Sequence, residues 1–129
     1  MDLLTINGEY GDFDLRNIKT NSLNIENEYG KVDGNDITAV KNNIRQENGK
    51  CSIDSLNTSD TNIKNDYGDV TLSLVEPKDE FDFYLDSDDG DVSINGESYG
   101  DNYTRDHGND KQVRVSVEYG SRITINTKE

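Results

Sequence analysis

Glycine recurs in this chain at a fixed interval. Gly11, Gly30, Gly49 and Gly68 are each 19 residues apart, and the series continues at Gly90 and Gly120 after steps of 22 and 30. Directly before these glycines stand Tyr10, Tyr29, Asn48, Tyr67, Asp89 and Tyr119. One position further back every residue is acidic: Glu9, Glu28, Glu47, Asp66, Asp88 and Glu118. A period near 20 residues is the mark of an architecture built from equivalent stacked units, and it constrains the fold more than any local propensity does.

The apolar residues keep the same register. Five residues before each glycine lies Ile6, Ile25, Ile44, Ile63, Leu85 or Val115. Seven before come Leu4, Leu23, Asn42, Thr61, Phe83 and Val113, so two rungs there are polar. Two and four residues after the glycine stand Phe13 and Leu15, Val32 and Gly34, Cys51 and Ile53, Val70 and Leu72, and Val92 and Ile94. A spacing of two on either side of a glycine turn describes strands with one buried face. Seven after, Ile18, Ile37 and Leu56 add a third inward position. Each repeat therefore reads as strand, acidic-Tyr-Gly turn, strand, corner and a short third segment.

At ~3.3 Å per strand residue, 19 residues trace about 60 Å, enough to close one coil. Stacked coils would bond their neighbours at ~4.8 Å as parallel strands. A hairpin meander is the competing layout, but alternating strand directions would not return the same inward face at a single period. The chain therefore reads as an all-β, single-domain parallel β-solenoid over residues 1–129, with about six coils and a ~19-residue repeat. A coil one or two side chains across needs few inward residues. A hydrophobic content of 30% and a mean hydropathy of −0.93, which alone would point toward disorder, are then sufficient.

Two insertions break the period. The first adds three residues around Val75–Glu80, where the only proline, Pro77, belongs in a loop. The second adds eleven, placed in residues 95–111. Insertions in a solenoid emerge on one side, often the binding face, and the plainer reading of this one is a disordered surface excursion. After Gly120 the apolar residues Ile123 and Ile125 come one position late, which predicts a one-residue bulge or a terminal cap. Leu4 and Ile6 begin a strand with no polar cover ahead of them. The expectation is that Met1 starts a segment of a longer protein, with an uncovered edge open to end-to-end self-association.

The charge balance narrows the partners. With 27 acidic against 13 basic residues, the formal net charge is −14, which repels nucleic-acid phosphates and anionic lipid. One cysteine, Cys51, rules out an internal disulfide and a Cys-based zinc cluster, and one histidine, His107, rules out multi-His metal sites. Cys51 occupies an inward position and reads as a buried, inert thiol. No apolar run is long enough to span a bilayer.

The run Asp86-Ser87-Asp88-Asp89-Gly90-Asp91 superficially resembles a calcium loop, but its glycine falls at position five rather than six and no helices flank it. It reads as a solvated turn. Tyr10, Tyr29 and Tyr67 should stand in vertical register, as mutually stacking rings or as an aromatic strip for sugar or protein. The acidic row beside them must point to water or share cations. Paired carboxylates could serve a glycosidase or lyase, yet none is singled out. Asn57-Thr58-Ser59 and Asn102-Tyr103-Thr104 match the glycosylation sequon, too common a pattern to weigh. No catalytic residue, cofactor site or metal ligand is assigned, and the expectation is a protein that is not an enzyme.

The segments Tyr10-Gly11-Asp12-Phe13, Tyr29-Gly30-Lys31-Val32, Tyr67-Gly68-Asp69-Val70 and Gly90-Asp91-Val92 give the chain a resemblance to the bacterial adhesin-like domains of unknown function that carry Gly-Asp-Val β-strand repeats. The resemblance implies a β-solenoid in a protein of the cell envelope, outside the cytoplasm, with no enzymatic residues to carry over. The functional expectation is a non-catalytic envelope module that binds or supports, with a protein or carbohydrate partner, no nucleic acid and no insertion of this segment into the membrane. The alternatives are a self-associating scaffold or regulatory solenoid, polymerising end to end, and more distantly a carbohydrate-active enzyme.

Overall fold

The computed structural model describes residues 2–119 and 121–128. Met1, where the sequence reading starts its segment, and Gly120, which closes the glycine series, lie outside the described residues, as does Glu129. The strands are β1 (Leu3–Tyr10), β2 (Phe13–Tyr29), β3 (Val32–Asn48), β4 (Cys51–Tyr67), β5 (Val70–Pro77), β6 (Phe81–Ser87), β7 (Asp91–Ile94), β8 (Glu97–Ser98), β9 (Asn102–Arg105), β10 (Lys111–Val117) and β11 (Arg122–Lys128), with a 3-10 turn at Lys78–Glu80. All belong to one wound sheet.

The long strands bend rather than run straight. In β3 the inward residues are Val32, Gly34, Ile37, Ala39, Asn42, Ile44 and Gln46, and β4 repeats the set from Cys51 to Asn65. Inward residues two apart share one face of a straight run, whereas a step of three returns to the interior only if the chain turns a corner. Steps of three fall between the second and third and between the fourth and fifth of these residues, so the coils these strands build have three sides. The first of these corners holds Asn17, Asp36 or Ser55 at φ 54–59°, left-handed conformations that Asn, Asp and Ser tolerate better than β-branched residues.

Stacking follows the 19-residue register. Ile6 pairs with Ile25, Ile25 with Ile44, and Ile44 with Ile63, all in parallel. The last three are 0–1% exposed. The two polar rungs of the neighbouring column bond to each other inside: Asn42 Nδ2 donates to Thr58 Oγ1 at 2.9 Å and to Thr61 Oγ1 at 3.3 Å, while Asn42 Oδ1 has no partner among the described residues. A buried polar pair that bonds to itself avoids much of the desolvation cost.

The order of the last two coils departs from simple sequential stacking. β10 pairs with β4 on one side and with β6 on the other, and β11 lies between β5 and β7. The final coil is therefore wedged between the fourth and the fifth. The insertion explains why. Asn95 and Gly96, at φ 51° and 85°, turn β7 into antiparallel β8, and β9 pairs antiparallel with β6. A two-residue turn with positive φ at both positions is the tight hairpin connection, so the cover it makes must sit on the coil that carries it. The fifth coil becomes the outer end and the last coil enters the stack below it. Residues 95–111 thus form an ordered cover rather than a disordered excursion, with Tyr99 and Tyr103 packed on the core.

The extra residue ahead of Ile123 is absorbed in the turn. Val117 aligns with Asn65 and Ser87, while Ile123 aligns with Val70 and Val92, so the last coil is one residue longer than its neighbours. Of the two expectations, a one-residue bulge or a terminal cap, the extra residue matches the first, since the last coil is paired on both sides. At the opposite end, Leu4, Ile6, Phe13, Leu15 and Ile18 are only partly buried, and β1 pairs on one side only. This end matches the uncovered edge foreseen from the sequence.

Candidate functional site

The turns that set the glycine period build one edge of the coil. Gly11, Gly30, Gly49 and Gly68 take φ between 123° and 139°, a region that favours glycine. Contact tightens the requirement, because a Cβ on Gly30, Gly49 or Gly68 would land on the carbonyl of the glycine one coil below. Gly11 N–H donates to Tyr29 C=O at 2.9 Å and Gly49 N–H to Tyr67 C=O at 2.8 Å, so each turn is bonded to the next.

A column of buried amides supports these turns from inside. Asn27, Gln46 and Asn65 lie three residues before successive glycines. Their side-chain NH2 groups donate to Gly11 C=O at 3.4 Å, Gly30 C=O at 2.6 Å and Gly49 C=O at 2.8 Å. In the capped coil Ser87 Oγ donates to Ser121 C=O in the equivalent place. The sequence reading did not pick out this column, although the three amides recur at the 19-residue spacing. They are polar, and an apolar pattern passes over them.

Outside the turns stand the tyrosines. Tyr10 and Tyr29 stack with centroids 5.1 Å apart and planes within 6°, and Tyr67 and Tyr119 stack at 4.2 Å, again within 6°. The wedged final coil brings Tyr119 next to Tyr67. Tyr119's phenol is raised above its ordinary value by hydrogen bonding to the Tyr67 hydroxyl first, then by the charges of Tyr67 and Glu118. Asn48 occupies the rung between Tyr29 and Tyr67. The expected strip is thus two stacked pairs separated by an asparagine, all four rings 45–78% exposed.

The acidic row flanks the rings. Glu9, Glu28, Glu47 and Asp66 line one side of a depression of about 640 Å³, with Glu26, Arg45 and Lys64 also on its wall. The two cations moderate the repulsion between carboxylates on adjacent coils.

The remaining sequence candidates have mostly structural surroundings. In the Asp86–Asp91 run, Ser87 points inward, Asp89 takes φ 60°, and the Asp91 carboxylate accepts from Ser98 Oγ at 2.6 Å. Among the described residues, no three His, Cys, Asp or Glu side chains converge as metal ligands. Cys51 is 1% exposed, and burial, with a smaller contribution from Asp33, pushes its thiol up to about 12. His107 donates its backbone N–H to Asp82 Oδ1 at 2.9 Å, and its side chain is exposed. Asp82 also accepts from the N–H of Asn109 at 3.1 Å and from Asn109 Nδ2 at 3.0 Å. These bonds, the one from His107 foremost, hold its carboxyl below the usual range against the opposing effect of burial. Asn57 and Asn102 are both exposed.

The cover is pinned by further pairs that sequence spacing did not reveal. Arg105 Nη2 meets Asp79 Oδ1 at 2.8 Å, Lys111 Nζ contacts Glu76, and Lys78 Nζ lies 5.5 Å and 5.6 Å from the Tyr99 and Tyr103 ring centroids. Each joins the first insertion, residues 75–80, to the second. No helix of the described residues is long and apolar enough to cross a membrane.

A family model described as Toastrack DUF4097 matches residues 1–121. No curated protein and no solved structure matches the chain.

Proposed function

The chain belongs to the Toastrack DUF4097 family, a family of unknown function, and we propose that it serves as a non-catalytic module of the bacterial cell envelope, displayed outside the cytoplasm, with the tyrosine edge as its contact surface. The observation that carries this reading is the paired, exposed tyrosine stack held on a rigid ladder of turns. Aromatic side chains left open on a polar surface favour contact with a partner. The partner is a protein or a carbohydrate, in keeping with the adhesin resemblance. A net charge of −14 argues against nucleic acid and against an anionic membrane surface.

A non-catalytic role is supported by how the polar groups are used. The carboxylate with the most donors, Asp82, is committed to holding the cover, and the sole thiol is sealed in the core. The test is fractionation of bacteria producing the full-length protein, followed by protease treatment of intact cells. Envelope recovery with digestion of this domain is the expected result. Recovery in the cytosol, protected until lysis, would reject the reading.

A second reading is favoured by the unequal ends. The first coil leaves apolar side chains partly exposed and β1 with one free edge, whereas β8 and β9 cover the other end. Self-association through the open end alone closes at a dimer, unlike a head-to-tail filament. Sedimentation over a range of concentrations distinguishes monomer, dimer and open-ended polymer.

A further inference from the structure

We infer that Tyr29, Asn48 and Tyr67 form a slot for an organic cation of the alkylammonium class, a proposal that rests on reading the tyrosine edge as a contact surface. The slot arises from one substitution in a repeating column. Tyr10 covers one face of Tyr29, and Tyr119 covers one face of Tyr67, in both cases with nearly parallel planes. Register places Asn48 between Tyr29 and Tyr67, so their other faces look toward each other across a rung whose side chain is short. Asparagine is shorter than tyrosine, so it covers less of the two facing ring surfaces than a third stacked tyrosine would. Tyr29 is 45% and Tyr67 49% exposed.

The dimensions select the ligand. Two rungs at ~4.8 Å set the rings about 10 Å apart, or about 5 Å from each ring to a group centred between them. A flat ring sandwiched by contact on both faces needs about 7 Å and would fit loosely. A trimethylammonium group is rounder, and a distance under about 6 Å to an aromatic centroid is the range in which the ring quadrupole attracts a cation.

Charge points the same way. Glu28, Glu47 and Asp66 immediately precede the three slot residues, and they line the adjoining depression. Lys31 and Lys50 lie beyond the glycines on the other side of the turn, Lys31 3.8 Å from Asp33, and Asp69 completes that row. With Glu9, Glu26, Arg45 and Lys64 of the depression and Asp33 counted as well, seven carboxylates stand against four cations and leave the surroundings negative. A neutral sugar of similar thickness gains nothing from this field.

The probe is choline chloride, titrated into the purified protein at constant ionic strength and followed by NMR of the tyrosine rings. 3,3-Dimethylbutanol, the neutral carbon analogue, and methyl glucopyranoside serve as comparators. Choline should shift the Tyr29 and Tyr67 resonances saturably, with the neutral analogue at least about tenfold weaker. The decisive variant is Asn48→Tyr, which completes a column already built of tyrosines. It should keep or raise the melting temperature and abolish the choline response, while Tyr67→Leu weakens it about tenfold or more. Equal binding of the neutral analogue, preference for the glucoside, absence of a saturable shift, or an unchanged response in Asn48→Tyr would each overturn the proposal. Fractionation, by contrast, tests where the module is displayed, so failure there leaves the titration result standing.

Discussion

Ile44 shows what a single position carries. It is fully buried, with Ile25 on one side and Ile63 on the other. Ile44→Ala should cost about 2–5 kcal/mol from lost transfer and the cavity left behind. Ile44→Asp places an unpaired charge there and should abolish the cooperative thermal transition at neutral pH; an unchanged melting temperature would contradict the register. The glycines provide an internal comparison. Gly11 and Gly49 share a positive φ, but only at Gly49 would a Cβ meet backbone. Gly11→Ala should therefore cost about 1–3 kcal/mol from conformation alone, and Gly49→Ala clearly more, measured by urea unfolding. Cys51 should resist thiol reagents at pH 8 until the protein unfolds, because only the thiolate reacts and burial suppresses it.

Among the elements, the cover over the fifth coil depends on pH through Asp82. Asp82 holds the segment through the N–H groups of His107 and Asn109, and its folded pKa lies below the unfolded value of about 3.9. A depressed carboxyl contributes its stability fully above the unfolded pKa and loses it as pH falls through the folded one. The amide resonances of His107 and Asn109 should hold steady down to about pH 4 and move only below it; a midpoint above pH 4 would refute this. Asp82→Ala should expose Arg105 and Lys111 to trypsin while the long strands stay protected. None of this was legible beforehand. Asp82 sits at an outward position of β6 and looks like any surface acid until residues 105–111 fold over it, and its partners lie 25 and 27 residues away. The strands and turns were legible, because the apolar residues two apart and the glycines repeat at the same interval. The tyrosine column was legible for the same reason, apart from Tyr119's place beside Tyr67.

For the molecule as a whole, the unusual feature is the order in which the coils stack. The sequence cannot reveal it, since Val113 and Val115 would fill the same columns as Phe83 and Leu85 in either order. The antiparallel cover decides, by making the fifth coil terminal and leaving the last coil to enter between it and the fourth. The chain beyond Asp110 therefore holds the upper coils together, and it supplies the second ring of the Tyr67 pair. The most direct test is oxidative cross-linking of introduced cysteine pairs, with Cys51 left buried in place. Arg114 lies in register with Asn62 and with Tyr84, which puts Asn62 and Tyr84 two rungs, or about 10 Å, apart, beyond the ~7 Å reach of a disulfide. The wedged arrangement predicts that Asn62→Cys with Arg114→Cys forms a disulfide readily and that Asn62→Cys with Tyr84→Cys does not; the reverse outcome would contradict it.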